Sequence, residues 1–262
     1  MDLGLEGRRA LVTGGYRGTG AGVAAVLAAE GATVWVHGFE ADAAEAAARD
    51  LRAAGGDAHP VAGDIRTDAG AAGVAAAVGE LDILVNNYGV AEGGTWQSAA
   101  ADWIDIYQKN VLSGVRLVQA FTPGMRERGW GRVLLVSTVG YARPNARMPH
   151  YYASKAALVN MTVSLAKELA GTGITVNCIS PGIVATAEVR ERFQRRAERH
   201  GEPSDWPAVE RAVARDVMPN PTGIVGTPED VGNLVAFLAS DRARYVNAAN
   251  LRIDGGAADC VQ

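Results

Sequence analysis

The chain has 262 residues, enough for one large domain with an ample core, and its 48% hydrophobic and 21% charged content is ordinary for a globular protein. A net charge of -4 argues against a nucleic-acid or anionic-membrane surface. No apolar run reaches ~18 residues, so no membrane-spanning helix is expected. The first residues, Met1-Asp2-Leu3-Gly4-Leu5-Glu6, lack the basic and apolar regions of a signal peptide, and cytoplasmic is the default location. The two cysteines set no disulfide framework. Cys178 reads as a small core residue of an apolar strand, and Cys260, in the last turn of the chain, as incidental.

Strand-like and helix-like segments alternate along the chain. Arg9 to Thr13 is a short apolar run, followed by a small-residue helix over Gly18 to Glu30. Thr33 to His37 reads as a second strand, and Ala41 to Ala54 as an alanine-rich helix closed by Gly55-Gly56. Ala58 to Ala62 is a third strand, Asp68 to Val78 a third helix and Leu81 to Asn86 a fourth strand. A long helix runs from Ala99 to Arg128, and Val133 to Ser137 is a buried fifth strand. Pro149 to Ala170 is a second long helix, and Ile174 to Ile179 a sixth strand. This alternation implies a single α/β domain with a parallel sheet and helices on both faces, where ligands bind beyond the carboxyl ends of the strands. Residues 187–225 break the rhythm with two amphipathic pieces, Glu188 to Arg199 and Asp205 to Val217, punctuated by four prolines. Such an excursion after a strand end is expected to be an active-site lid, the alternative being a plain surface hairpin.

Two motifs carry chemistry. Thr13-Gly14-Gly15-Tyr16-Arg17-Gly18-Thr19-Gly20 places glycines between a strand and a helix. They permit a tight turn and close backbone approach to a pyrophosphate, which the helix N-terminus then favours. Tyr151 and Lys155 are four apart on a helix and share one face. An ammonium at ~4 Å, with an effective dielectric of ~20, favours a phenolate by up to ~4 kcal/mol. That lowers a tyrosine pKa by ~3 units and makes Tyr151 usable as an acid and base. No His/Cys/Asp/Glu spacing suggests a metal site.

These motifs stand with Asp64, Asn86-Asn87-x-Gly89, Asn110, Ser137-Thr138, Pro181-Gly182 and Asp254-Gly255-Gly256. In that order and spacing the chain resembles the short-chain dehydrogenase/reductase family, of classical type, over nearly its full length. The resemblance implies a Rossmann-like, doubly wound parallel sheet of seven strands. It implies hydride transfer with NAD(H) or NADP(H) between a secondary alcohol and a ketone. It also implies a homotetramer, with the helices at 99–128 and 150–170 forming one interface.

The resemblance assigns the cofactor contacts to Gly14, Tyr16, Arg17, Gly18, Thr19, Gly38, Phe39, Asp64, Ile65, Asn87, Gly89, Tyr151, Lys155, Pro181, Gly182, Ile183 and Thr186. Asp64 would accept the adenine amino group with Ile65 against the ring, and Pro181-Gly182-Ile183 with Thr186 would place the carboxamide. Gly38 stands where NAD-dependent relatives carry Asp, and Arg17 where NADP-dependent ones carry a basic residue able to pair with phosphate. Phe39 and the nearby Glu40 count the other way. NADP(H) is favoured, with NAD(H) open.

The catalytic set implied is Asn110, Thr138, Tyr151 and Lys155. Thr138 lies thirteen residues before Tyr151, where most relatives have serine; Ser137 is the alternative, directed to the opposite face of a regular strand. Asn110 would bend its helix and hold a water linked to Lys155, as a path for protons. Tyr88 replaces the usual alanine and either contacts substrate or fills space. His150 reads as structural or as part of an interface. Val90 to Trp96, Val139 to Met148 and 187–225 are expected to line the substrate pocket, with Tyr88, Trp96, Tyr141 and Met148 as an apolar wall. Gly129 and Thr172 stand where thioester reductases carry carrier-docking basic residues, so a free small or medium ketone is preferred over a carrier-bound acyl group. A redox sensor without turnover, and a lyase or isomerase using the cofactor transiently, are the readings of other classes.

Overall fold

The computed structural model describes residues 2–259, so Cys260 lies outside the described residues. Seven parallel strands form one sheet in the order β3-β2-β1-β4-β5-β6-β7. They are β1 (Arg9–Val12), β2 (Thr33–Gly38), β3 (Asp57–Ala62), β4 (Ile83–Asn86), β5 (Gly131–Val136), β6 (Ile174–Pro181) and β7 (Asn250–Ile253). The strand order reverses between β1 and β4, which opens a crevice at their carboxyl ends. The parallel sheet implied by the alternating pattern, and the seven doubly wound strands implied by the family resemblance, are those observed.

Successive strand residues point to opposite faces and feed two cores. Ala10, Val12, Leu134 and Val136 meet one cluster with Val23, Leu27, Val231 and Val235. Those partners lie on α1 (Gly18–Ala29) and α9 (Pro228–Ala239). Leu11, Val133 and Leu135 meet the other, with Val74, Leu117, Phe121 and Leu158. These lie on α3 (Asp68–Val78), α5 (Ser113–Arg128) and α6 (Pro149–Glu168); α2 (Ala41–Ala53) covers the first face beside α1. Both faces are therefore buried, which is why the strands read as nearly continuous apolar runs.

The long helix expected over Ala99 to Arg128 is interrupted. α4 (Ala100–Tyr107) passes into a π-helical turn, Gln108–Leu112, before α5. Asn110 is buried inside that turn. Residues 187–225 fold as α7 (Ala187–Arg199), α8 (Trp206–Ala212) and a second π turn, Val213–Val217. They carry their own small core of Phe193, Ala197, Val209 and Val213. A parallel bridge between Val184 and Gly226 closes the base of this segment, with Ala185 N–H donating to the Gly226 carbonyl at 2.7 Å. Among the described residues no helix is long and apolar enough to cross a membrane.

α1 and α9 pack at backbone distance. A Cβ on Gly22 would lie 2.4 Å from the Pro228 side chain and 2.6 Å from its carbonyl carbon. Gly22→Val is therefore expected to wedge the pair apart at a cost of about 2 kcal/mol, lowering the melting temperature by about 4–8 °C. A thermal melt of the variant that matches the native chain contradicts this packing.

Candidate active site

The turn after β1 opens into a cleft of about 590 Å³. Gly14 and Gly18 have φ of 62° and 56°, the left-handed region that glycine alone adopts freely. A Cβ on Gly20 would lie 2.3 Å from the Gly14 carbonyl oxygen, so α1 can abut the turn only without a side chain there. Arg17 precedes α1 in an extended conformation and offers no side-chain cap, which leaves the first amides of the helix open to the cleft. Asn87 braces the turn, its Nδ2 donating to the Thr13 carbonyl at 2.9 Å.

The cleft joins most of the residues singled out in the sequence. Gly14, Tyr16, Arg17, Gly18, Thr19, Asn87, Tyr88, Gly89, Thr138, Tyr151, Lys155, Pro181, Gly182, Ile183 and Thr186 all line it. Thr186 also caps α7 by accepting from the Val189 amide. Arg17 reaches over the Tyr16 ring and stands 3.8 Å from Glu188 of α7, an exposed pair of little energetic weight.

Thr138 and Tyr151 both line the cleft, and the Thr138 hydroxyl accepts from the Gly140 amide at 3.4 Å. Ser137 also borders the cleft, but its Oγ is buried and donates to the Lys155 carbonyl at 2.8 Å. Lys155 does not act on the phenol as its spacing suggested. Its Nζ is buried and donates to the Val136 carbonyl at 2.9 Å. Burial pushes the Tyr151 phenol up to about 12, with the Thr138 side chain pulling the other way, so the expected lowering by the lysine charge is absent here. Burial also lowers the Lys155 ammonium to about 8, against a smaller opposing effect from Cys178. Cys178 is the buried core residue expected.

Asn110 sits behind the lysine. A Cβ on Gly89 would lie 2.6 Å from Lys155 Nζ and 3.2 Å from Asn110 Oδ1, so glycine lets the two come together. The partners of Asn110 are backbone and hydroxyl. Its Oδ1 accepts from Val90 N–H at 2.7 Å, and its Nδ2 donates to the Val90 carbonyl and to Ser154 Oγ, each at 3.0 Å. It thus ties the chain after β4 to α6 at the end where Tyr151 and Lys155 stand.

Other expected contacts lie away from this cleft. Ile65 is fully buried in the core with Val61 and Leu84, so its side chain cannot lie against a ring in the crevice. Asp64 is held by Arg66 through both carboxylate oxygens, at 2.8 and 2.9 Å, and that pairing keeps its carboxyl below the usual range. Gly38 is buried toward α2, where a Cβ would meet Ala44 at 3.3 Å. Phe39 packs 4.8 Å from the Tyr88 ring, with the Arg66 guanidinium 5.0 Å from its own centroid. Tyr88 thus turns its ring toward Phe39 while bordering the cleft, and burial raises its phenol above the ordinary value. Trp96 is exposed and packs at a tilt on Trp103, 5.6 Å between centroids, which in turn meets the buried ring of His150 edge-on. Trp96, Tyr141 and Met148 are not among the residues that line the cleft; Val90, Ala91, Val189 and Arg192 are.

Three participants escaped the sequence reading. Ser154 lies inside the Tyr-x-x-x-Lys segment, and its hydroxyl was the available signal. Arg192 follows Glu188 by one helical turn and shares its cleft-facing side. His37 is the penultimate residue of β2 and is wholly buried, with both ring nitrogens engaged.

Residues 8–197 match the family described as short chain dehydrogenase. The chain belongs to that family. As a short-chain dehydrogenase it is an oxidoreductase of CH–OH and C=O groups that uses NAD(P). It is 35% identical to a D-beta-hydroxybutyrate dehydrogenase of Cupriavidus necator, over 96% of this chain and 98% of that one. It superposes on the L-sorbose reductase of Gluconobacter frateurii, solved with NADPH and L-sorbose, with a TM-score of 0.92, 32% identity and full coverage of both chains. A 7 alpha-hydroxysteroid dehydrogenase solved with NADH and a 7-oxo bile acid gives a TM-score of 0.84 at 28% identity, over 100% of this chain and 98% of that one.

Depressing a lysine from 10.5 to about 8 means its burial disfavours the charged form by about 3 kcal/mol. The folded value lies below the unfolded one, so this penalty is full below pH 8 and vanishes as pH rises to 10.5. Lys155→Met is therefore expected to melt higher than the native dehydrogenase at neutral pH, with the gap narrowing above pH 8. A variant that melts several degrees lower, or a gap independent of pH, contradicts the burial of a charged lysine.

Proposed function

We propose that this dehydrogenase is an NADP(H)-dependent reductase of a small or medium ketone, with Tyr151 as the proton donor. The Thr138 hydroxyl and the Tyr151 phenol lining one cleft with the glycine turn carry this reading, the phenol being held protonated at neutral pH by burial. Both groups can donate to one carbonyl oxygen, and a phenol near 12 gives up its proton only as that oxygen becomes an alkoxide. NADP(H), when bound, supplies or accepts the hydride.

The residues of the cleft fit that cofactor. The open amides of α1 and the glycine turn suit a pyrophosphate. Arg17 is the cleft cation on the loop, and Gly38 places no carboxylate at the end of β2. Together they favour a 2′-phosphate over a bare ribose, in keeping with the NADPH held by the sorbose reductase. Pro181, Gly182, Ile183 and Thr186 would orient the carboxamide end. Lys155, anchored on the Val136 carbonyl, would steady the ribose side and keep Tyr151 on its helix face.

Residues 187–225 serve as the lid in this reading. α7 forms one wall through Glu188, Val189 and Arg192, and the Val184–Gly226 bridge marks the base on which it swings. The subunits assemble as a homotetramer through the α4–α5 and α6 faces. Ile104 and Tyr107 on α4 and Val163 on α6 support this, since each exposes 40% or more of its surface in the single chain.

Tyr151→Phe removes the proton donor and leaves the ring. Turnover of a reducible ketone is expected to fall by about 10²–10⁴-fold, while NADPH binding, followed by fluorescence, stays close to native. Retained turnover in this variant rules the mechanism out.

A further inference from the structure

We propose that His37 is a positioning residue for the cofactor turn, acting as a neutral bridge that fixes the orientation of Gly14 and Gly15. The imidazole is fully buried near the end of β2. Its Nδ1 lies 3.2 Å from the Gly14 amide, which can only donate, so Nδ1 accepts. Its Nε2 lies 2.9 Å from the Gly63 carbonyl, which can only accept, so Nε2 carries the proton. These two partners together select one neutral tautomer. The backbone of the same residue takes the next amide, Gly15 N–H donating to the His37 carbonyl at 3.0 Å.

Residue 37 therefore holds two consecutive amides of the turn whose far side lines the cleft. Gly14 sits at φ 62° and has no side chain to fix its plane, so these bonds supply what its conformation lacks. The bridge also spans the sheet, joining the ends of β1 and β3 through β2. The Phe39 ring meets the imidazole edge-on at 5.5 Å and closes the outer side.

Protonation of Nδ1 would put two donors face to face at Gly14. Burial keeps the ring's pKa below the ordinary histidine value of 6.5; the hydrogen bond to the Gly63 carbonyl opposes this, and to a smaller extent so does Asp64, itself paired with Arg66. Among the described residues no other titratable side chain shifts the ring. The folded value lies below the unfolded one, so the bridge persists below pH 6.5 and is lost only as the pH falls through that lower folded value.

The inference rests on the cofactor assigned above, and its test separates the two. NADPH dissociation constants are measured by fluorescence from about pH 5 to about pH 8 for the native chain, His37→Asn, His37→Gln and His37→Leu. Asn places an oxygen where Nδ1 stands, so it keeps the acceptor for Gly14. Gln places its amide nitrogen near Nε2, so it keeps only the donor to Gly63. The native chain is expected to lose affinity on the acid side more steeply than His37→Asn, which keeps only the dependence set by the cofactor's own 2′-phosphate, titrating at about pH 6, and binds within a few-fold of native at neutral pH. His37→Gln and His37→Leu are expected to bind about tenfold or more weakly at neutral pH. The ring-nitrogen NMR spectrum of the native chain reports the tautomer without any cofactor. A protonated Nδ1 at neutral pH, or tight binding by His37→Leu, overturns the proposal. So does a folded His37→Asn as weak as His37→Leu. A chain with the Nε2–H tautomer that binds neither NADPH nor NADH instead refutes the functional reading and leaves the bridge standing.

Discussion

The site depends on a two-way clasp between α6 and the end of β5. Lys155 Nζ donates to the carbonyl of Val136, and Ser137 Oγ donates to the carbonyl of Lys155. A buried ammonium must find an acceptor, and the last carbonyl of a strand supplies one. The returning bond from Ser137 fixes the helix in register with the strand end. Thr138, one residue further along, lines the cleft with Tyr151. Neighbouring hydroxyls thus do different things: the Ser137 hydroxyl secures the helix, and the Thr138 hydroxyl accepts from the Gly140 amide beside the cleft. Asn110 adds a third tie, linking Val90 to Ser154 from the π-helical turn.

Such clasps cost stability at the place where function needs them. Lys155 is held charged in the core against its own desolvation, and Tyr151 is held neutral by the same burial. The packing elsewhere is tight enough to carry this: α1 and α9 approach through Gly22 and Gly232, and both sheet faces are closed by apolar clusters. Strained or penalised groups persist when surrounding structure determines them more strongly than their own preferences do.

Much of the fold was legible because strands buried on both faces leave long apolar runs and glycine turns punctuate them. Six strands and their intervening helices lie close to where those signals place them. α9 and β7 were not delineated, since Asn250–Ile253 is short and only partly buried and gives a weak pattern. Side-chain direction was less legible than position. Spacing put Tyr151 and Lys155 on one helix face, yet the lysine's long stem allows its charge to seek Val136. Ile65 could point either into the core or toward the crevice, and the core claimed it. Trp96 looked like a pocket wall from its chain position but finds Trp103 on the surface instead. His37 gave no motif at all; its role exists only once β1, β2 and β3 lie side by side.

The turn, the clasp and the hydroxyls of Thr138 and Tyr151 support the proposal that NADPH binds this cleft and is oxidised as a ketone accepts a proton from Tyr151. The most direct measurement is a fluorescence titration with NADPH and with NADH, followed by turnover on a panel of ketones with the tighter of the two. The account predicts tighter binding of NADPH, and NADPH oxidation by at least one ketone of the panel. Preferential binding of NADH, or tight NADPH binding with no oxidation by any ketone, would contradict it.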